Sequence, residues 1–212
     1  MMNGNLMTEP QESFPALLAR VRQCTICEPF LPEGPRPVVQ GSVTAPILVV
    51  GQAPGIRVHQ TGLPFNDPSG DRLRKWMGID RQTFYDEQKL AILPMGFCYP
   101  GTGRNGDMPP RPECAPAWRD LLLSRLKGVR LTLAIGAYAQ AWHLGPPKRS
   151  VTEAVRQWQD FWPDLVPLPH PSGRNNLWLR RNPWFEADVV PRLQARVAEL
   201  LAQRAGSGES GE

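Results

Sequence analysis

The four cysteines of the chain, Cys24, Cys27, Cys98 and Cys114, form a C-x2-C pair, a long gap and then a C-x15-C pair. Thiols two residues apart can ligate one metal centre, and a distant second pair completes a four-thiolate shell only if the fold brings it back. Such a shell ties the N-terminal segment to the middle of the chain, a strong constraint on any fold. The alternative is that some of these residues are ordinary buried thiols, packed as small apolar groups. A length of 212 residues suits one domain with a sizeable core. Residues 1–205 are expected to form it, with 206–212 (GSGESGE) as a disordered tail. No stretch is long and apolar enough to span a bilayer, and the start, MMNGNLMTEPQESF, shows neither the basic region nor the apolar run of a signal peptide. A cytoplasmic location is therefore expected, where reduced thiols favour a metal or cluster over disulfides.

A net charge of +4 permits a polyanionic partner without demanding one. The 24 prolines and 19 glycines require long loops, while seven tryptophans need a core or a binding surface and argue against disorder. Between the loops, the residue pattern predicts a short helix over Phe14–Arg22. It predicts strands over Pro46–Val50, Leu90–Met95 and Leu131–Ile135, and a weaker one over Leu165–Leu168. Continuous apolar, β-branched runs of this kind fit strands buried on both faces of a parallel sheet. Ser69 is positioned to cap a helix carrying Leu73, Trp76 and Met77. Further helices are expected over Ala115–Leu126, Ala137–Leu144 and Trp184–Arg204. The alternation predicts an α/β fold, a three-layer αβα sandwich around a mostly parallel four-stranded sheet. In such sheets ligand loops leave the carboxyl ends of the strands. The loops over 51–68, 98–114 and 170–176 should therefore share one face.

Those loops carry ordered motifs. The first reads Gly51-Gln-Ala-Pro-Gly55 and then Thr61-Gly-Leu-Pro-Phe65, with Gln52 and Phe65 thirteen positions apart. The last is His170-Pro171-Ser172, directly after the weak fourth strand. In this order and spacing the motifs resemble the uracil-DNA glycosylase superfamily, and the four cysteines are similar to those of its iron–sulfur branch. The resemblance covers residues from about 20 to 200. It implies a monofunctional DNA glycosylase of base-excision repair that hydrolyses the N-glycosidic bond of uracil or a related deaminated base, leaving an abasic site. It also implies a 4Fe–4S cluster on the four cysteines, for which zinc is the alternative, and a monomer acting on DNA. A competing class is a glycosylase-like module that binds damaged or single-stranded nucleic acid without cutting it. A third is a hydrolase of free nucleosides.

The resemblance also assigns roles. An enzyme that acts on a base takes it out of the stack. Phe65 matches the aromatic that stacks on the flipped base, and His170 the imidazole that donates to the base carbonyl as negative charge accumulates there. Gly51, Asn66, Ser172, Arg174 and Asn175 are the expected substrate contacts. Gln52 stands where the iron–sulfur branch usually has Glu; an amide is no general base at neutral pH but can orient water. Asp67 is the nearest carboxylate, either stabilising the cationic sugar or making an Asx-turn. The family's uracil-reading Asn has no counterpart in Leu93-Pro-Met-Gly96, leaving Asn66, Asn175 or Asn176 to supply an amide. Arg104, Arg111, Arg174, Arg180 and Arg181 are candidate phosphate contacts. Leu177 or Trp178 is a candidate wedge into the gap left by a flipped base, the alternative being that Trp178 packs under the last helix. His143 is read as structural, and His59 as a possible DNA contact.

Overall fold

The structure, a computed structural model, describes residues 12–104 and 106–207. The apolar runs become strands β1 (Ile47–Val50), β2 (Leu90–Ile92), β5 (Leu131–Ile135) and β6 (Leu165–Leu168), with a small hairpin of β3 (Thr102–Gly103) and β4 (Gly106–Asp107) between β2 and β5. The main sheet has the order β2-β1-β5-β6, every neighbouring pair is parallel, and Val49 lies opposite both Ile92 and Leu133. Pro167 has no N–H to give, and it sits in β6, at the sheet edge where that loss is tolerated.

Helices α1 (Phe14–Arg22), α2 (Ile56–Thr61), α3 (Pro68–Met77), α4 (Arg81–Tyr85), α5 (Cys114–Leu123), α6 (Gly136–Leu144), α7 (Val151–Arg156), α8 (Asn176–Arg181) and α9 (Val190–Ser207) make the connections. Successive side chains of a strand point to opposite faces, and all four residues of β1 are buried. Ile47 and Val49 join a core with Leu73 and Trp76 of α3 and Leu193 and Val197 of α9. Leu48 and Val50 join another with Leu17 and Leu18 of α1 and Trp118 and Leu122 of α5. Each such aliphatic side chain contributes roughly 1.5–3 kcal/mol on burial, which holds even a four-residue strand in place. Helices thus cover both faces, and the expected three-layer αβα architecture is the observed one. Among the described residues no helix is long and apolar enough to cross a membrane.

Several local expectations are corrected. The cap of α3 is Asp67, whose side chain accepts from Gly70 N, and not Ser69; Pro68 then occupies the first turn, where its missing N–H costs nothing. The 51–68 loop contains α2, and the 98–114 loop contains the β3–β4 hairpin. The chain after His170 folds into α8, and α9 is preceded by a wider π-type turn over Phe185–Val189. Helix α9 runs to Ser207, two residues into the segment expected to be a tail. Residues 208–212, the rest of that segment, lie outside the described residues, as does the N-terminal stretch 1–11.

Candidate functional site

A cleft of about 510 Å³ opens at the carboxyl ends of the parallel strands. Gly51 and Gln52 enter it from the end of β1, Pro94 from the segment after β2, Asp107 from the hairpin, and His170, Ser172 and Arg174 from the segment after β6. Phe65 and Asp67 complete the wall in front of α3. The three loops predicted to meet do meet.

The first loop is pinned to the sheet. Gly51 O accepts from Met95 N at 2.8 Å, and Gln52 O from Gly96 N at 2.9 Å, extending the β1–β2 pairing beyond the strands. Phe65 adopts a left-handed backbone at φ 52°, rare for a residue with a side chain. Two glycines make room for it: a Cβ on Gly51 would come within 3.3 Å of the Phe65 ring, and one on Gly70 would collide with the Phe65 carbonyl. That carbonyl accepts from the buried Arg74 at 3.4 Å, and Tyr85 donates to Pro64 O at 3.0 Å. The Phe65 ring meets Phe84 edge to face at 6.1 Å.

His170 is oriented by its own loop. Ser172 N donates to His170 Nδ1 at 3.2 Å, and Asn175 Nδ2 donates to His170 O at 2.7 Å. A backbone N–H can only donate, so Nδ1 accepts and the neutral ring carries its proton on Nε2. Burial pushes His170 below the ordinary imidazole range; Asp67 and Asp107 pull the other way, and Arg174 acts with burial. The result is a neutral ring with one fixed N–H donor. Helix α3 holds the same loop through Arg72, which donates to Ser172 O at 3.1 Å and to Asn176 Oδ1 at 2.8 Å.

Of the other residues expected at the site, Gln52 lies on the cleft wall and donates through Nε2 to Met108 O at 2.8 Å. Asp67 also lines the cleft, with Oδ1 accepting from Gly70 N at 2.9 Å as the α3 cap. Asn66 and Asn175 are not brought to the cleft wall. Asn66 Oδ1 accepts from Arg81 at 2.8 Å, and Asn175 is spent on the His170 carbonyl. Arg111 is at the cysteine corner instead, paired with Glu113 at 2.7 Å and stacked over Phe30 at 4.3 Å. Arg104, Arg180 and Arg181 are exposed, and Arg174 packs over Gly106 of the hairpin. Trp178 donates to Thr152 at 2.8 Å and packs against Trp184 and Phe185, whereas Leu177 is 49% exposed. His143 accepts a place beside the buried Arg119, 2.8 Å from its guanidinium, and burial with that neighbouring charge pushes it down to about 4. His59 is half-buried, 6.1 Å from the Tyr99 ring. The residue missed by the sequence analysis is Asp107: a Gly- and Pro-rich stretch gave no sign that a hairpin would carry one of its carboxylates into the cleft.

The cysteines gather at a second place. Cys24 follows α1, Cys27 lies in the next turn, Cys98 comes after β2 and Cys114 opens α5; all four line one small cavity walled by Leu31, Phe97 and Trp118. None is in a disulfide. Trp118 Nε1 donates to Cys24 Sγ at 3.2 Å, and Phe97 N to Cys114 Sγ at 3.3 Å. Burial pushes the Cys98 thiol up to about 11 and Cys114 up to about 12, and burial with Glu113 raises Cys27. Among the described residues no three Cys, His or carboxylate side chains are placed to hold a single ion. Four converging free thiols, of which Cys24 and Cys114 receive N–H donors, form a set suited to a thiolate-bound centre, whose positive charge would take the place of the protons.

Comparison with known proteins agrees with this geometry. Residues 38–194 match the family model described as the uracil DNA glycosylase superfamily. The matched stretch holds every cleft residue named above, together with Cys98 and Cys114. The chain is also similar to a type-4 uracil-DNA glycosylase of Thermotoga maritima, with 29% identity over 161 residues, 72% of this chain and 78% of that protein.

Proposed function

The chain belongs to the uracil-DNA glycosylase superfamily, and from that premise we propose that it hydrolyses the N-glycosidic bond of uracil, or of a related deaminated base, in DNA and leaves an abasic site. The observation that carries this reading is one cleft lined by both an aromatic ring, Phe65, and a neutral imidazole, His170, whose Nδ1 is already occupied. A flipped base stacks on Phe65, and the His170 Nε2–H donates to a base carbonyl oxygen. As the bond from the sugar breaks, its electron pair moves onto the base and that oxygen becomes more negative. A donor fixed in advance strengthens with the developing charge, and removing one typically costs about 10²–10³ in rate. The polar lining of carboxylates, amide, imidazole and arginine serves attack by water, whereas imine formation needs a lysine amine. Arg104, Arg174, Arg180 and Arg181 supply sequence-independent contacts to phosphates.

Cys24, Cys27, Cys98 and Cys114 would hold a 4Fe–4S cluster, whose contribution is to join the end of α1, the exit of β2 and the start of α5. Zinc requires four sulfurs at about 2.3 Å from one point, whereas a cluster takes its thiolates at separate irons. Four thiols lining one cavity fit such a cluster, with zinc as the alternative.

Gln52 supports a second reading, a module that binds without cutting, because its amide is committed to Met108 O and cannot accept a proton. Oligonucleotides carrying uracil, hypoxanthine or xanthine, single- and double-stranded, separate the two. The glycosylase reading expects alkali-labile sites at the modified base after incubation. Tight, salt-sensitive binding with no labile site on any of them would establish the binding module instead.

A further inference from the structure

If water attacks in this cleft, its proton must go to a group that can take it. Gln52 cannot, and the carboxylates on the wall are Asp67 and Asp107. Asp67 starts α3, with Oδ1 spent on Gly70 N. Asp107 ends β4, where its Oδ1 is 3.4 Å from the Thr102 hydroxyl, itself 2.6 Å from the Tyr99 hydroxyl. Its Oδ2 lies 3.4 Å from the point where a Gly55 side chain would begin, so the hairpin carboxylate closes against the first loop at van der Waals range. The neighbouring residue, Met108, is held from two sides: its N–H donates to Gly101 O at 2.8 Å, and its carbonyl accepts from Gln52 at 2.8 Å. The amide that cannot act as a base is thus strapped to the residue beside a carboxylate that can.

We propose that Asp107 is the catalytic carboxylate of this site, taking the proton of the attacking water, and that Gln52 is the positioning residue that holds Asp107 over the cleft. The assignment rests on the glycosylase reading above. In the step, the water oxygen bonds to the anomeric carbon as the bond from that carbon to the base nitrogen breaks. The electron pair of the broken bond leaves with the base, while the water proton passes to Asp107. Return of that proton to the base anion gives a free neutral base and a hydroxyl on the sugar, and the carboxylate is regenerated. A glutamate at position 52 cannot donate to Met108 O and adds a second negative charge beside the first.

Single-turnover excision of uracil from a single-stranded oligonucleotide, at saturating full-length protein, tests both roles. Asp107→Asn is expected to lose a hundredfold or more, in the range of general base catalysis. Asp107→Ala is expected to recover rate when sodium formate is added. Gln52→Ala is expected to cost about tenfold alone and nothing further in the Asp107→Asn background, as for two residues acting through one function. Gln52→Glu is expected to be slower than the parent. A parental rate for Asp107→Asn, or a loss in Asp107→Ala that formate leaves untouched, would overturn the role of Asp107. Full additivity of the two substitutions, or a faster Gln52→Glu, would overturn the role of Gln52. A parent protein inactive on uracil, hypoxanthine and xanthine alike would bring down the glycosylase reading itself, an outcome distinct from an active parent with an active Asp107→Asn.

Discussion

The cleft and the cysteine corner hang on one short segment: Pro94 lines the first, while Gly96, Phe97 and Cys98 line the second. They differ in how their polar groups are satisfied. In the cleft, Gln52 is paired with Met108 O, His170 with Ser172 N, and Asp67 with Gly70 N. At the corner, thiols sit among Leu31, Phe97 and Trp118, and burial drives two of them to about 11 and about 12. The cleft is organised by the chain's own hydrogen bonds. The corner, on the proposal above, would be completed by a centre that takes the place of the thiol protons. One region therefore depends on hydrogen bonds that single substitutions can unpick, and the other, on the same proposal, on a centre whose loss would be felt by the whole fold.

The largest effect should come from the corner. Replacing Cys114 by Ser, or stripping the centre with a chelator under reducing conditions, is expected to abolish most of the folded protein, because binding energy at a structural site is folding energy. Circular dichroism and metal analysis of the purified protein check this. Iron and sulfide in the parent, with broad absorbance near 400 nm on the order expected for iron–thiolate centres, identify the cluster. Stoichiometric zinc in a colourless protein would replace it, and a well-folded Cys114→Ser protein would erase the contrast between the two regions.

A smaller, purely local effect is expected from Gly70→Ala. A methyl there collides with the Phe65 carbonyl, so the Phe65 turn must move while the core beneath α3 stays packed. Uracil excision is expected to fall about tenfold to a hundredfold, equivalent to losing a base-stacking contact of about 1–3 kcal/mol. The melting temperature should drop by only a few degrees. Equal losses of activity and stability would show that the cleft is no more separable than the corner.

The smallest effect concerns the support under the shared segment. Arg119, buried, donates to Leu93 O and Pro94 O at 3.1 Å each and contacts His143 at 2.8 Å. Burial and the Arg119 charge hold His143 down at about 4, below the 6.5 of a free imidazole. Between those values the unfolded chain binds more protons than the native one, so stability is full above pH 6.5 and is lost as the pH falls toward 4. The loss attributable to this histidine is at most about 3 kcal/mol. It should disappear in a His143→Gln protein, as measured by denaturant titrations across that range.

How much of this was legible in the sequence follows from the kind of signal each element carries. The strands were readable because Ile47–Val50 is a continuous apolar run and Leu131–Ile135 is broken only by Thr132, and a sheet of such strands delivers its loops to one end. That alone brings Gly51, Gln52, Phe65, His170, Ser172 and Arg174 together, as the cleft does. Asp107 was invisible because a hairpin with two residues per strand has no periodicity to detect. Its trace was the turn between Gly103 and Gly106 in a stretch otherwise read as loop. Asn66 and Asn175 show the opposite case: their residue type suited base recognition, but neither lines the cleft, Asn66 Oδ1 accepting from Arg81 and Asn175 Nδ2 donating to the His170 carbonyl. The α3 cap shifted from Ser69 to Asp67 because Pro68 fits the first turn, a competition between adjacent capping residues that type alone does not decide. Helix α8, six residues with no side-chain cap, announced neither end.

The central claim, that a neutral His170 and Phe65 form a base-excising cleft, is tested most directly by quantifying free uracil. A uracil-containing oligonucleotide is incubated under single-turnover conditions with the parent protein and with His170→Ala, and the released base is measured by chromatography alongside the abasic strand. The account predicts one free uracil per abasic site with the parent, and release slowed at least about a hundredfold in His170→Ala, with DNA binding and melting temperature retained. Equal rates of uracil release from the two proteins, or no free base from the parent, would contradict it.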